Sequence, residues 1–181
     1  MESLRGQLLV ASPALFDPNF RRTVILVTEH TEEGAAGLVL NRPSDIAVAE
    51  AVPDLVALLP GDDRVYIGGP VQPSAVLVLA RFEDRDAAAE LVAGDVGFVP
   101  GDGDFESLAG STTSARVFAG YAGWGAGQLE SELEELSWIV EVVGDLDLFP
   151  GPADDLWSAV LRRKGGIYRV VALMPEDPSR N

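Results

Sequence analysis

Three apolar segments in the opening third of the chain constrain its fold most strongly. Each is rich in Val, Ile and Leu and is bounded by Pro, Gly, Asn or Asp, a pattern typical of β-strands. The segments are QLLVAS at 7–12, TVILVTEH at 23–30 and AGLVLNR at 36–42. Their near-continuous apolar character predicts burial on both faces. Because only the short connection TEEGA separates the second segment from the third, we predict a β-hairpin there.

Six further segments are predicted to be strands on the same grounds. They are RVYIGG at 64–69, AVLVLARF at 75–82, a short strand that opens the segment VGFVPGDGDFESL at 96–108, ARVFAG at 115–120, SWIVEVV at 137–143 and IYRVVAL at 167–173. Between the first two, GGPVQPS at 68–74 is predicted to be a turn, because its glycines and prolines cannot continue a ladder.

Capping residues and helical spacing of apolar residues predict five helices. They are PSDIAVAEAVPDLVALL at 43–59, DRDAAAELV at 84–92, a short helix at DFESL, an amphipathic helix carrying Leu129, Leu133 and Leu136, and DDLWSAVLRRKGG at 154–166. Ser44 is placed to cap the first helix, and Asp84 or Asp86 to begin the second. Because strands outnumber helices and no βαβαβ alternation runs through the chain, we predict an α+β fold with a mixed sheet.

Length and hydropathy bound the organisation of the protein. The 181 residues suit a single domain over 1–181, or two intimately packed subdomains. The longest apolar runs, such as AVLVLA at 75–80, are too short to span a bilayer. Residues 1–15 carry neither a long apolar core nor a basic leader, so we expect a cytoplasmic protein that has no membrane partner.

The net charge and the low numbers of cysteine and histidine exclude several kinds of site. The chain has no cysteine and one histidine, which excludes disulfides, thiolate ligands and His-rich zinc sites. Its 29 acidic residues outnumber 13 Lys and Arg, and the net charge of −16 opposes nucleic-acid binding. The cations RRK at 162–164 are assigned to a helix end before Gly165. The acidic loop GDGDFES at 101–107 lacks the EF-hand order, and no metal or cofactor is predicted.

The stretch GYAGWGAGQLESELEELSW at 120–138 predicts a strand, a glycine-rich turn and a helix. This geometry can present backbone N–H groups to an anion. However, no G-K-[ST] follows the glycines, and Glu130 and Glu132 in the first helical turn would repel a phosphate. Tyr121 and Trp124 are either core or rim aromatics, or they face a pocket.

Two further polar positions have both a structural and a functional interpretation. His30 lies at a strand end beside carboxylates, where it is either a general base or a hydrogen-bonded structural residue. The chain has no G-x-S-x-G elbow, so the structural role is favoured. Arg42 in NRP, like the arginines of RRT at 21–23, either clamps a carboxylate or phosphate or pairs with one of the many acids. In so acidic a chain the ion pair is favoured.

Three segments together resemble the YqgE/AlgH family of bacterial proteins. They are LVASPALFDPNFRRTVILVTEHTEEGAAGLVLNRP, YIGGPV and GYAGWGAGQLESEL, in the family's order. The resemblance extends from about Leu4 to the final helix, and the ending GGIYRVVALMPEDPSRN departs from it with an additional strand and tail. It implies a compact α+β fold with a bifurcated, mostly antiparallel sheet curled into a pseudo-barrel and flanked by helices. The family is also often labelled as transcriptional regulators, on genetic association rather than demonstrated DNA binding.

The resemblance also implies a set of signature residues. Several of these are polar groups at strand ends, where a scaffold can bring separate loops together. From them we take ten residues as the candidate ligand or partner site: Arg22, Thr23, His30, Asn41, Arg42, Gly68, Gly69, Tyr121, Trp124 and Gln128.

Three functions are weighed against each other. The sequence favours a non-enzymatic regulatory or binding protein that acts through a protein partner or a small molecule. The rival is an enzyme or ligand pocket in which five side chains converge around roughly 300 Å³ or more. These are His30, Arg42, Tyr121, Trp124 and Gln128. Direct DNA binding ranks last because of the charge.

Overall fold

A long central strand connects the parts of the sheet in the computed structural model, which describes residues 2–60 and 62–176. The strands of this described part are β1 (Leu8–Ala11), β2 (Val24–Thr31), β3 (Gly34–Val39), β4 (Pro43–Ala47), β5 (Arg64–Ile67), β6 (Val71–Phe82), β7 (Glu90–Ala93), β8 (Val96–Phe98), β9 (Thr112–Gly125) and β10 (Trp138–Glu141). The helices are α1 (Val48–Ala51), α2 (Phe105–Ala109), α3 (Gln128–Glu134), α4 (Leu156–Lys164) and α5 (Tyr168–Val171), with 3₁₀ turns at Pro53–Ala57 and Arg85–Ala87.

The sheet divides at β9. Its main path runs β10-β1-β2-β3-β9-β6-β8-β7, and every neighbouring pair along it is antiparallel. A branch leaves β9 through β5, which pairs with it in parallel and with β4 in antiparallel fashion. The predicted α+β class with a mostly antiparallel, bifurcated sheet is therefore confirmed. The sheet is not closed into a barrel, since β10 and β7 remain as its two ends.

The predicted hairpin and its two-sided burial are confirmed. Strands β2 and β3 pair in antiparallel register down to the pair Thr31 and Gly34. Alternate residues of β2 enter different cores, with Leu26 in the larger cluster and Ile25 in a second cluster on the other face. Both side chains are fully buried, so the apolar run has no solvent-facing side over this stretch.

Two predicted helices are largely wrong because strand pairing replaces them. Residues 43–47 form β4, with Pro43 aligned on Tyr66 of β5, and only four residues of α1 and a 3₁₀ turn follow. The Ser44 hydroxyl accepts from the Ile46 N–H within the strand instead of capping a helix. Segment 84–92 contains only a three-residue 3₁₀ turn capped by Asp84, after which β7 pairs with β8.

Three other predictions are corrected near the glycine-rich segments. Strand β6 begins at Val71 inside the predicted turn GGPVQPS, and a register shift with Gln72 at φ 45° accommodates the interruption. Strand β9 continues through the predicted glycine turn as far as Gly125. The predicted last strand at 167–173 is instead α5, which packs on α4.

Helix α4 lies close to where the sequence predicts it, whereas α3 ends at Glu134, so Leu136, predicted as part of its apolar face, lies beyond it at φ 62° and is 76 % exposed. Leu129 is the fully buried residue of α3. Asp155 caps α4, and Gly165 ends it at φ 81°. Two of the three cations in the last turn have acidic partners, Asp147 and Glu141. None of the helices within 2–60 and 62–176 combines the length and apolar character needed to cross a bilayer.

Candidate functional site

A cleft of about 590 Å³ lies where the start of β2 and the end of β3 meet the beginning of α4. We call it the arginine cleft. It is lined by Pro18, Arg21, Arg22, Asn41, Arg42, Ala153, Asp154, Asp155, Leu156, Trp157 and Glu176. The antiparallel hairpin brings Arg22 and Arg42 to the same edge of the sheet although they are twenty residues apart in sequence. Three of the ten predicted site residues therefore line one cavity: Arg22, Asn41 and Arg42.

Asn41 fixes the backbone that carries the arginines. Its side-chain oxygen accepts from the Val24 N–H at 3.0 Å, and its amide donates to the Arg22 carbonyl at 2.9 Å. Arg22 has φ 54°, a left-handed conformation that is uncommon for a residue with a side chain. Thr23, which is fully buried, donates its hydroxyl to the Phe20 carbonyl at 2.7 Å. These bonds hold a strained turn in one geometry.

Two of the arginines rest on aromatic rings. The Arg22 guanidinium lies 4.1 Å from the centre of the Trp157 ring and donates to the Met174 carbonyl. The Trp157 indole is itself fixed, because its N–H donates to the Ala11 carbonyl at 2.8 Å. Arg21 lies 5.8 Å from the centre of the Phe16 ring. Such stacking orients a guanidinium plane while leaving its edge N–H groups able to donate.

The ion pair favoured for Arg42 is wrong. Its guanidinium donates to the backbone carbonyls of Arg21 at 2.6 Å and Pro18 at 3.2 Å. Within residues 2–60 and 62–176, no carboxylate lies within 4.0 Å of Arg21, Arg22 or Arg42. Burial lowers the pKa of Arg42, and the more distant charge of Glu176 opposes that shift.

The three carboxylates of the arginine cleft have different settings. Asp155 accepts from the Ser158 N–H at 3.1 Å as the cap of α4, and Asp154 accepts from the Gly151 N–H at 2.6 Å. Both are therefore engaged in their own loop. Glu176 is exposed and makes no hydrogen bond described for its side chain in this part of the chain. It lines the arginine cleft, and its charge acts to raise the pKa of Arg42 against the effect of burial.

Three of the predicted site residues, His30, Trp124 and Gln128, lie around α3. Together with Glu130 and Glu132, which bond them, we call them the α3 cluster. The His30 ring bonds Glu130 at 2.7 Å and accepts from the Leu4 N–H at 3.0 Å, so Nε2 carries the proton in this arrangement. The Trp124 indole donates to Glu132 at 2.7 Å. Gln128 accepts from the Gly125 N–H and donates to Glu132.

The α3 cluster is saturated by its own partners. Glu132 also accepts from the Trp138 indole at 2.9 Å, so one carboxylate joins two strands to the helix. The His30 side chain is 4 % exposed, and hydrogen bonding from it lowers the pKa of Glu130. These contacts support the structural role for His30 and leave no polar atom of the imidazole to act on a ligand.

The predicted convergence of five side chains is wrong. Arg42 lies at the end of β3 that joins β4, whereas Trp124 pairs with Ala35 near the start of β3. Seven residues of extended chain separate the two ends by roughly 23 Å, at about 3.3 Å per residue. Tyr121 lines a different, shallow depression with Trp124, Glu29 and Glu33.

Gly68 and Gly69 serve close packing of backbones. A Cβ on Gly68 would lie 2.3 Å from the Gly120 carbonyl oxygen, and one on Gly69 would lie 2.1 Å from the Tyr121 carbonyl carbon. Gly69 also has φ 153°. Any side chain here would push β5 away from β9, so these positions exclude a Cβ for steric reasons.

The acidic loop at 101–107 is also structural. Asp104 caps α2 by accepting from the backbone N–H groups of Glu106 and Ser107, and it accepts from the Ser107 hydroxyl at 2.8 Å. These hydrogen bonds lower the pKa of Asp104. Over the described ranges 2–60 and 62–176, no three or more His, Asp or Glu side chains are grouped closely enough to hold a metal ion.

Sequence reasoning missed two contributors to the arginine cleft. Trp157 was placed only within the predicted helix at 154–166, and Glu176 was assigned to the polar tail after the predicted last strand. No local pattern marks them, because the bond from Trp157 to Ala11 spans 146 residues of sequence. The RRT triplet at 21–23 was the one sequence pattern that pointed to this cleft.

The fold and site define an α+β protein with a forked antiparallel sheet and an arginine-lined cleft at one end of its central hairpin. A family model described as AlgH-like matches residues 8–169. The chain belongs to this AlgH-like family, which has no established biochemical function.

Relatives and solved structures match over almost the full chain. A UPF0301 protein of Streptomyces coelicolor is 42 % identical over 187 aligned residues, covering 100 % of this chain and 97 % of the relative. A UPF0301 protein of Mycobacterium tuberculosis is 42 % identical, and the alignment covers 97 % of this chain and 90 % of the relative. The crystal structure of a protein from Corynebacterium diphtheriae matches at TM-score 0.89 and 29 % identity, covering 96 % and 94 %. The solution structure of the AlgH protein from Pseudomonas aeruginosa matches at TM-score 0.71 and 32 % identity, and the match covers 97 % of this chain and 98 % of that one.

Proposed function

We propose that the protein is a regulatory or binding protein of the cytoplasm that acts by holding a small anionic ligand in the arginine cleft. The observation that carries this proposal is the convergence of Arg21, Arg22 and Arg42, none of which has a carboxylate within 4.0 Å in the described part of the chain. Guanidinium groups match the planar, two-oxygen geometry of carboxylates and phosphates.

The grouping of these arginines, rather than the lack of an ion pair alone, makes the arrangement informative. In the described part of the chain, Arg5, Arg64, Arg81 and Arg163 have a carboxylate within 4.0 Å, whereas Arg85, Arg116, Arg162 and Arg169 have none, like the arginines of the cleft. What distinguishes Arg21, Arg22 and Arg42 is that all three are half-buried and line one cavity. The carboxylates that line the same cavity do not contact them directly, and a bound anion would supply the charge-assisted hydrogen bonds that these carboxylates do not make.

The cleft is also rigidly built. Asn41 and Thr23 hold the turn that carries the arginines, and Trp157 supports the Arg22 plane. A site that is already in place spends less free energy on ordering when the ligand binds. A left-handed Arg22 costs of order 1–3 kcal/mol, which the surrounding hydrogen bonds must offset.

The alternatives receive less support from the same contacts. The enzyme hypothesis required His30 in the pocket, and His30 is sealed against Glu130 in the α3 cluster. Direct DNA binding remains the least favoured, because three arginines in a cleft cannot follow a duplex backbone and the field of the whole chain is anionic.

The test is anion binding by calorimetry and by thermal unfolding, with inorganic phosphate as the probe. The variant is Arg21→Gln, because the Arg21 guanidinium makes no hydrogen bond within the described residues and its loss should leave the fold intact. The matched control is Arg85→Gln, an exposed arginine in the turn before β7. Phosphate at 100 times its Kd should stabilise the wild type by about 2.7 kcal/mol.

Phosphate also stabilises proteins non-specifically, since it is excluded from their surfaces. The decisive result is therefore the difference between variants at one phosphate concentration. We expect wild type and Arg85→Gln to show equal, saturable stabilisation and Arg21→Gln to lose most of it. Equal responses from all three proteins would refute the proposal.

A further inference from the structure

A second cavity of about 390 Å³ adjoins the arginine cleft. We call it the apolar chamber. It is lined by Ser12, Pro13, Ala14, Leu15, Phe16, Arg21, Arg22, Trp157, Met174, Pro175 and Glu176. Four of these residues, Arg21, Arg22, Trp157 and Glu176, line the arginine cleft as well. The two cavities therefore share a wall, and that wall carries two of the three unpaired guanidinium groups.

The two cavities differ in chemistry. Beyond the shared wall, the apolar chamber presents Pro, Ala, Leu, Phe and Met side chains and the hydroxyl of Ser12. That hydroxyl already accepts from the Ala14 N–H, and the Trp157 N–H donates to the Ala11 carbonyl. The far side of the chamber is thus mostly hydrocarbon, and the Ser12 hydroxyl, whose hydrogen is not used in the contact with Ala14, is its side-chain donor.

Large apolar groups are exposed at this chamber. Phe16 is 61 % exposed and Met174 is 47 % exposed, although burial of either side chain would be favourable. Arg22 connects the two environments, because it stacks on Trp157 and donates to the Met174 carbonyl. An anionic oxygen pair on Arg21 and Arg22 would place any attached hydrocarbon against Phe16 and Met174.

We infer that the combined site takes an amphipathic anion, with one acidic headgroup on the arginines and a hydrocarbon chain or ring in the apolar chamber. This inference rests on the proposed function and names the chemical class of its ligand. The acidic head is a carboxylate or a phosphate monoester, and the apolar part is what distinguishes the ligand from an inorganic ion. Because most of the chamber lining is hydrocarbon, apolar contact is its main source of affinity.

The experiment is a chain-length series measured by calorimetry, with acetate, butyrate, hexanoate and octanoate below their aggregation limits, and with hexyl phosphate for the other headgroup. Each methylene that leaves water should tighten Kd about three- to fourfold until the chamber is filled. Comparing hexanoate with hexyl phosphate decides which headgroup the arginines prefer. Inorganic phosphate is measured beside the series.

The chamber is tested with Met174→Gln, which keeps the length of the side chain, its neutral charge and the backbone carbonyl that Arg22 uses. Its matched control is Leu173→Gln, a neighbouring residue that is 74 % exposed and lies outside both cavities. Ala14→Asn is a second chamber variant at an exposed loop position. We expect both chamber variants to flatten the dependence on chain length, and Leu173→Gln to keep the wild-type slope.

The outcomes separate the two proposals. If phosphate and acetate bind but longer chains bind no tighter, this inference is overturned and the proposed function stands. If octanoate binds wild type, Met174→Gln, Ala14→Asn and Arg21→Gln equally well, its binding is non-specific and the inference is also overturned. If no anion in the series binds, the proposed function fails and the inference fails with it.

Discussion

Polar residues lie at both ends of the β2–β3 hairpin. At one end they are hydrogen-bonded to nearby carboxylates, and at the other end they are not. At the α3 cluster, imidazole, indole and amide groups donate to two carboxylates of the same helix, at 2.7 to 3.3 Å. At the arginine cleft, three guanidinium groups have no carboxylate within 4.0 Å among residues 2–60 and 62–176.

This difference separates a structural polar cluster from a candidate binding site. A buried polar network that satisfies itself gains rigidity and has no capacity left for a ligand. The cleft arginines, which no carboxylate contacts directly, keep N–H donors available for a ligand. Family signature residues occur at both ends, so membership in a signature does not distinguish the two roles.

The largest expected effect is at the α3 cluster. Trp124 is 7 % exposed and packs against Phe20 and Trp138, with its N–H on Glu132. Trp124→Ala should lower the free energy of unfolding by about 3–5 kcal/mol because it removes a large buried aromatic. Urea unfolding measures this loss. Trp124→Phe, which keeps a ring and loses the donor, should cost less.

Anion affinity supplies the contrast for this variant. Folded Trp124→Ala should bind phosphate with the wild-type Kd, since its contacts lie at the far end of the hairpin. A large loss of affinity with little loss of stability would reverse the assignment of the two ends.

Asn41→Ala should affect stability and binding together. It leaves the buried Val24 N–H without its acceptor, which costs about 1–3 kcal/mol, and it releases the Arg22 carbonyl. Because Arg22 then loses the support for its left-handed turn, the Kd for phosphate should rise several-fold. Calorimetry and urea unfolding of the same samples measure both. Asn19→Ala, in the adjoining exposed loop, is the control and should change neither quantity.

Glu176→Gln should tighten anion binding with little change in stability. The exposed Glu176 residue lines the arginine cleft, and its charge acts to raise the pKa of Arg42. Removing a charge in such an exposed setting is worth up to about 1 kcal/mol, or roughly fivefold in Kd. The gain should shrink as salt is added. Weaker binding in this variant would mean that Glu176 orders the cleft.

The smallest effect is the pH dependence at Glu130. Its pKa is lowered from 4.5, chiefly by the hydrogen bond from His30. A carboxyl whose pKa is lower in the folded state stabilises the fold above its unfolded pKa, and that contribution disappears as the pH falls through the folded value. The stability difference between wild type and Glu130→Gln should therefore narrow as the pH falls below about 4.5. A difference that stays constant through this range would contradict the assignment.

The sequence correctly predicted the parts of the fold that depend on residues close together in the chain. The hairpin, its burial on both faces and the end of α4 at Gly165 follow from runs of apolar residues and from a single glycine. Segment 43–59 failed because Pro43 pairs with Tyr66, a contact formed only when β5 is in place. Segment 167–173 failed because a short apolar run packs equally well as a strand or a helix, and α4 selects the helix.

For the candidate site, the sequence supplied the residues and not their grouping. Arg22, Asn41 and Arg42 were named together with His30, Trp124 and Gln128. The extended length of the hairpin places the two sets at opposite ends. The favoured ion pair for Arg42 was wrong because counting charges does not reveal which backbone carbonyls a guanidinium can reach.

By itself, the sequence determined the α+β class, the anionic character and the family, since these depend on composition, periodicity and long motifs. Only the tertiary structure decided which polar residues satisfy each other and which remain available. Hydrogen-bond partners at separations such as 100 residues for His30 and Glu130, or 152 for Arg22 and Met174, are set by how strands and helices pack. The arginine cleft exists because the hairpin edge, α4 and the C-terminal segment meet there without supplying a close carboxylate to its arginines.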